Sequence, residues 1–217
     1  MQMTRPLLLG HRGARAFREI PENTIASFEL CLRHGCDGFE FDVRQAADGE
    51  VVVFHDPQFG GLPIAETSAN KLKLPTLGEV LARFSSRAFL DIELKVAGLE
   101  QQVTAELRSH PPRQGYLVSS FLPHVLSSMQ KIDLGVPLGF ICEDRGLLER
   151  WRDLPVEWMI PRSDLVTAAL PVELMRAGKK IMVWTVNDAG DMARLAEWGV
   201  NGIISDQTLE LGRLRSR

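Results

Sequence analysis

Four short stretches of this sequence hold the side chains that could do chemistry. In Gly-Phe-Glu-Phe-Asp-Val, residues 38–43, Glu40 and Asp42 stand two apart, so on a strand they share one face while Phe39, Phe41 and Val43 share the other. Residues 88–95 repeat the arrangement, with Asp91, Glu93 and Lys95 on one face and Leu90, Ile92 and Leu94 on the other. Carboxylates sent into a packed interior are costly unless paired or bound to a metal. Glu40, Asp42 and Glu93 make a hard, oxygen-only donor set that suits one divalent cation, Mg2+ or Ca2+ and also Mn2+, better than Zn2+. Asp91 is placed beside that set rather than in it. His11-Arg12 close the run Leu-Leu-Leu-Gly, and His55-Asp56 close Val-Val-Val-Phe. Two histidines at such ends could cleave a phosphodiester, one taking a proton from the attacking oxygen and one giving a proton to the leaving oxygen. Arg12 and Lys95 would neutralise the phosphate. Singly, each signal has an ordinary structural reading: a solvated histidine, a Glu-x-Lys ion pair. Their convergence at the ends of early strands argues for a site.

These residues need a scaffold that gathers strand ends. Strand-like segments occur at 7–10, 38–43, 51–54, 88–94, 116–119, 137–141, 157–160, 181–185 and 202–205. Helical patterns lie between or after them at about 24–34, 76–84, 98–109, 122–131, 144–151, 164–177, 189–198 and 207–214. Such alternation predicts an α/β fold, a (β/α)8 TIM barrel with one strand to spare, whose catalytic rim is formed by the strand ends. Helix starts are expected at Asn23, Thr76, Ser163 and Asn187-Asp188, with Gly35, Gly178 and Gly199 just past helix ends. No domain boundary is visible, so residues 1–217 are read as a single domain, small for a fold in which about 250 residues is typical. The least regular stretch, 57–74, is expected to be a loop or short insertion at a sheet edge.

Composition narrows the function. The 217 residues carry 25 Lys plus Arg against 28 Asp plus Glu, a formal net charge of −3, with the basic residues scattered. That gives no footprint for nucleic acid, whose binding rests on neutralising many phosphates. No apolar run approaches the roughly 20 residues of a membrane-spanning helix, so no stable membrane insertion is expected. The opening Met-Gln-Met-Thr-Arg shows no secretory leader, and Cys31, Cys36 and Cys142 have neither Cys-x-x-Cys nor zinc spacing. They are read as reduced core thiols and the protein as cytoplasmic. Oligomeric state is left open.

The same residues fall in an ordered series: His11-Arg12-Gly13, Pro21-Glu22-Asn23-Thr24, Glu40-Phe41-Asp42, Asp48-Gly49, His55-Asp56, Leu74-Pro75-Thr76-Leu77, Glu93-Leu94-Lys95, Ser120-Phe121, Val183-Trp184-Thr185-Val186-Asn187 and Gly202-Ile203-Ile204-Ser205-Asp206. This series resembles the glycerophosphodiester phosphodiesterases over nearly the whole chain. The resemblance implies a (β/α)8 barrel and metal-dependent hydrolysis of glycerophosphodiesters to sn-glycerol 3-phosphate and an alcohol. It implies His11 and His55 as the acid/base pair, Glu40, Asp42 and Glu93 as ligands of one divalent metal, and Arg12 and Lys95 on the phosphate. Trp184 is expected either to wall the glycerol moiety or to sit in the core, and Asn23 to cap a helix. Attack by water and attack by the neighbouring glycerol hydroxyl, through a cyclic phosphate, both stay open.

Two departures from the family pattern stand out. The family usually carries a helical cap after the His-Asp pair, often opening with Arg-Thr; here residues 57–74 form a shortened cap without it, which bears on the preferred alcohol. The last strand ends Asp206-Gln207-Thr208 where the family tends to have Asp-x-Pro, a difference expected to lie outside the site. The alternatives to this reading are a lysophospholipase D- or sphingomyelinase D-like phosphodiesterase and a non-catalytic barrel that binds a metal or a phosphodiester.

Overall fold

The structure, a computed structural model, describes residues 5–216; the reading of the first residues as leaderless and the extreme ends of the 1–217 domain lie outside them. In chain order the strands are β1 (Leu7–His11), β2 (Gly38–Gln45), β3 (Val51–Val53), β4 (Gln58–Phe59), β5 (Leu62–Pro63), β6 (Phe89–Leu94), β7 (Tyr116–Ser120), β8 (Leu138–Cys142), β9 (Trp158–Pro161), β10 (Lys180–Val183) and β11 (Gly202–Ser205). The sheet runs β1-β11-β10-β9-β8-β7-β6-β2, every neighbour parallel, and β1 pairs again with β2 through Leu9 opposite Gly38 and His11 opposite Glu40. Eight parallel strands therefore close a barrel, as the alternating pattern predicts.

The spare strand is β3, and it runs the other way. It pairs antiparallel with the far half of β2, Val43 opposite Val53 and Gln45 opposite Val51, across a tight turn in which Gly49 adopts a left-handed backbone, φ 85°. A parallel neighbour would need a crossover of a dozen or more residues. His55 thus does not stand at the end of a parallel barrel strand, as expected; an antiparallel return carries it back to the rim beside Asp42, whose carbonyl accepts the Phe54 N–H at 3.0 Å.

The helices are α1 (Ile25–Arg33), α2 (Ala69–Leu72), α3 (Leu77–Phe84), α4 (Glu100–Ser109), α5 (Pro123–Ile132), α6 (Arg145–Leu148), α7 (Leu170–Arg176), α8 (Ala189–Glu197) and α9 (Thr208–Gly212). Thr76 closes a reciprocal capping box with Glu79, and the Asp188 carboxylate accepts the N–H groups of Gly190 and Asp191. The long helix expected over 164–177 is divided into a single turn, Ser163–Leu165, and α7. Pro171 explains the break, since it has no N–H to donate and its ring excludes a helical residue four positions earlier.

Two apolar layers hold the barrel. Between strands and helices, Phe28 of α1 stacks on Phe39 of β2 at 4.1 Å, and Phe84 of α3 meets both edge-on. Inside the barrel, Leu9, Phe89, Leu117, Trp158 and Met182 fill the floor. The insertion has a small core of its own: β4 and β5 form a short hairpin, and Ile64 and Leu72 pack on Val52 and Ala46. Among the described residues no helix is long and apolar enough to cross a membrane.

Candidate active site

The pleat of β2 aims Glu40 and Asp42 into the barrel and Phe39, Phe41 and Val43 into the helix layer, and β6 aims Asp91 and Glu93 beside them in register, Asp42 opposite Glu93. All four carboxylates are buried. One oxygen each from Glu40, Asp42 and Glu93 lie within 4.8 Å of one another. Glu40 Oε1 and Asp42 Oδ1 have no hydrogen-bond partner. Three buried carboxylates that bring an oxygen each this close, and that leave Glu40 Oε1 without a hydrogen bond, are what a hard divalent cation needs, so the donor set fits such an ion. Asp91 stands apart, accepting the Ser119 hydroxyl at 2.6 Å.

The electrostatics agree with that reading. Burial, with the charges of Asp42, Glu93 and Asp91, lifts the Glu40 carboxyl well above its ordinary range. Burial and Asp42 raise Glu93 to about 7 despite the Lys95 ammonium, and burial raises Asp91 to about 8. Asp42 is the exception: burial pushes it up, but Arg12, Lys95 and the Asn23 amide together bring it below the usual carboxylate value. Lys95 Nζ lies 2.6 Å from Glu93 Oε1 and 3.4 Å from Asp42 Oδ1, inside the acidic cluster.

The loop after β1 supplies the opposing cation. Arg12 has a left-handed backbone, φ 54°; its N–H donates to Glu40 Oε2 at 3.0 Å, its Nη1 to Glu22 at 2.7 Å, and its Nε lies 3.2 Å from Asp42. Asn23, also left-handed at φ 57°, donates its own N–H to the Arg12 carbonyl. Its amide donates to Asp42 Oδ2 at 2.8 Å and accepts the Asp42 N–H at 3.3 Å. Asn23 is therefore not the helix cap expected of it: Thr24 caps α1, and the asparagine side chain is turned inward onto Asp42. Two strained residues side by side at a charged cleft mark a backbone held in place by its surroundings.

Each histidine rests on a carboxylate. His11 Nδ1–H donates to Asp206 Oδ1 at 2.8 Å, and its Nε2 lies 3.9 Å from Glu40 Oε2. His55 Nδ1–H donates to Asp56 at 2.7 Å. In both rings Nε2 is the atom left to act. Asp206 is in turn gripped by Asn187 Nδ2 at 2.9 Å and lies 3.4 Å from Arg15 Nη1. Burial raises its carboxyl, but the His11 bond and charge and the Asn187 bond bring it down to about 2. Burial is the main reason that His55 falls below the ordinary imidazole value.

The departure at Thr208 stays outside the cavity, its hydroxyl 2.8 Å from His34 Nδ1, but Asp206, to which the sequence assigned no role, joins the site. It was missed because its contact with His11 exists only once the barrel closes; its place just beyond the final strand, at the same rim as His11, was the available signal. His11, Arg12, Glu40, His55, Glu93, Lys95 and Trp184 all line one cavity of about 220 Å3, with Asp42 buried beneath it. Trp184 is a wall rather than core: it is half-buried, donates its indole N–H to the Ile160 carbonyl at 2.9 Å, and meets Phe121 edge-on.

Comparison with known proteins places this geometry. The model of the Glycerophosphoryl diester phosphodiesterase family matches residues 11–73 and 63–210, a span that takes in every residue of the site described in this section. A glycerophosphodiester phosphodiesterase of Caldanaerobacter subterraneus subsp. tengcongensis is 28% identical over 92% of this chain and 93% of its own length. One from Bacillus subtilis is 27% identical over 93% of this chain and 84% of its own. Among solved structures, an Oleispira antarctica phosphodiesterase in complex with the product sn-glycerol-3-phosphate superposes with a TM-score of 0.85 at 25% identity, covering 98% of both chains. The Thermotoga maritima glycerophosphodiester phosphodiesterase gives 0.82 at 26% identity, covering 98% of this chain and 99% of that one.

Proposed function

Because the chain belongs to the glycerophosphoryl diester phosphodiesterase family, we propose that it hydrolyses glycerophosphodiesters to sn-glycerol 3-phosphate and an alcohol, with His11 and His55 as the proton-transfer pair. The observation that carries this reading is the meeting, in one small cavity, of two carboxylate-backed histidines with three buried acids whose oxygens converge.

Glu40, Asp42 and Glu93 would hold one divalent cation, Mg2+, Ca2+ or Mn2+, which when bound supplies Lewis-acid polarisation of a phosphoryl oxygen. Arg12, braced by Glu22 and by its backbone bond to Glu40, presents a guanidinium to the phosphate, and Lys95 adds a second positive charge from β6. Asp206 and Asp56 fix the ring orientation of His11 and His55, so each Nε2 is aimed for transfer: one ring withdraws a proton from the attacking oxygen and the other delivers one to the departing alkoxide. Trp184 with Phe121 forms the wall against which a substrate arm packs. We read residues 1–217 as one functional unit in which 57–74 is an abbreviated cap that leaves the mouth open. The three free, buried thiols support a reducing compartment such as the cytoplasm.

The test is release of sn-glycerol 3-phosphate from glycerophosphocholine and glycerophosphoethanolamine, in EDTA and after adding back Mg2+, Ca2+ or Mn2+ one at a time. Metal-restored release is the expected result. Absence of release with every cation would overturn the reading, and lysophospholipids would be the substrates to try next.

A further inference from the structure

Charge and hydrocarbon are segregated inside the cavity. Its charged members come from β1, β2, the β3 return and β6, whereas the opposite wall, built from the ends of β7 through β11, consists of Phe121, Ile141, Ile160, Trp184 and Ile204. One ionisable side chain stands on that wall: Glu143, the residue after β8. The wall is fixed, since the three isoleucines are buried and the Trp184 indole is tied to the Ile160 carbonyl with Phe121 set against it at 85°. Glu143 stands exposed at the rim, and its carboxylate makes no hydrogen bond or ion pair among the described residues. Arg162, whose guanidinium feels the Glu143 charge, is engaged by Asp164 at 2.6 and 3.0 Å.

We propose that Glu143 reads the glycerol arm of the substrate, accepting hydrogen bonds from its two adjacent hydroxyls while the aromatic and isoleucine wall covers its carbon face. The inference rests on the glycerophosphodiester reading above. A hydroxyl pressed against an apolar wall without a partner is costly, and Glu143 is the side-chain acceptor this wall offers. The two oxygens of one carboxylate match a pair of neighbouring hydroxyls. Size points the same way: a cavity of about 220 Å3 that must also take the phosphate has room for the short, constant arm. The variable alcohol is then left to the open side, where His55 is one-third exposed.

The decisive experiment is calorimetric titration of the full chain, in millimolar Mg2+, with sn-glycerol 3-phosphate, methyl phosphate and phosphocholine, for the wild type, Glu143→Leu and Glu143→Gln. Comparison with methyl phosphate cancels the general effect of removing a negative charge, and its continued binding shows that the variants are folded. Glu143→Leu should weaken glycerol 3-phosphate about tenfold relative to methyl phosphate, with Glu143→Gln in between and the phosphocholine ratio unchanged. A loss that falls on phosphocholine instead would assign the wall to an ammonium alcohol and overturn the proposal, as would an unchanged glycerol 3-phosphate ratio. Turnover of glycerophosphocholine by the wild type is read on the same sample. Its absence there and with Ca2+ or Mn2+ in place of Mg2+ would sink the activity itself, whereas turnover with an unchanged ratio would sink only the role of Glu143.

Discussion

Replacing Asp206 by asparagine should disable His11 while leaving the barrel intact. Asp206 accepts His11 Nδ1–H at 2.8 Å through one oxygen and Asn187 Nδ2 at 2.9 Å through the other. The Asn187 amide cannot turn to suit the change, because its oxygen already accepts the Asp206 N–H and the Ser205 hydroxyl. The carboxamide oxygen of the variant will therefore face Asn187 and its NH2 will face His11 Nδ1. That favours the tautomer with the proton on Nε2, the reverse of what the wild type holds, and removes the charge that would stabilise an imidazolium. Where such a swap was made beneath a catalytic histidine of a serine protease, turnover fell by about 10⁴. Asp206 keeps 18% of its side chain exposed, so a fall of about 10³-fold, equivalent to about 4 kcal/mol, is expected here. The assay is glycerol 3-phosphate release from glycerophosphocholine at saturating substrate, with a thermal melt to confirm folding. Asp56→Asn serves as the comparison: that carboxylate is 66% exposed, and its loss should cost far less, on the order of tenfold. An Asp206→Asn enzyme that keeps more than a tenth of wild-type turnover would refute the reasoning.

Two further outcomes follow from the buried acids. Glu93 and Asp91, held near 7 and 8 against ordinary values of 4.5 and 3.8, bind more protons in the folded than in the unfolded chain between those limits. Stability in EDTA should therefore fall as pH rises from 5 to 8, by on the order of 5 °C in Tm, and millimolar Mg2+ or Ca2+ should restore it at pH 8 but add little at pH 5. A flat or rising Tm in EDTA over that range would contradict the assignment. Asn23→Ala removes one hydrogen bond to a carboxylate and one to a backbone N–H and places alanine in a left-handed backbone, a loss of about 3 kcal/mol seen as a lower Tm. Asn23→Gly, which relieves the backbone strain, should recover about 1 kcal/mol; identical melts for both variants would show that the backbone conformation contributes nothing.

What the sequence made legible was whatever depends on local period. Alternation along 38–43 and 88–95 is enough to send Glu40, Asp42 and Glu93 inward together, because pleating acts within a single strand and needs no knowledge of its neighbours. Segment order in turn gives the barrel. The direction of β3 was not legible: a short apolar run reads the same whichever way it pairs, and only the brevity of the turn at 46–50 excludes a parallel neighbour. Asn23 satisfied the rules for a helix cap, yet Thr24 beside it satisfied them too, and the buried Asp42 carboxylate took the asparagine. Local capping preference is worth about 1 kcal/mol, less than a hydrogen bond to a buried charge at about 1.5–3 kcal/mol, so the tertiary contact decides. The helix over 164–177 failed for the opposite reason, since Pro171 was a local signal against it that the apolar spacing concealed.

The His11–Asp206 pair joins residues 195 positions apart, one on the first strand of a closed ring and one just past the last. A ribosome making this chain therefore lays down the acids proposed to hold the metal, both histidines and the arginine proposed to meet the phosphate before the carboxylate that hydrogen-bonds the first histidine is translated. On that reading a chain that stops short of β11 carries most of the proposed reactive residues but lacks the carboxylate that holds His11. On the proposed mechanism, activity on phosphodiesters waits on β11, which brings Asp206 round the ring to His11.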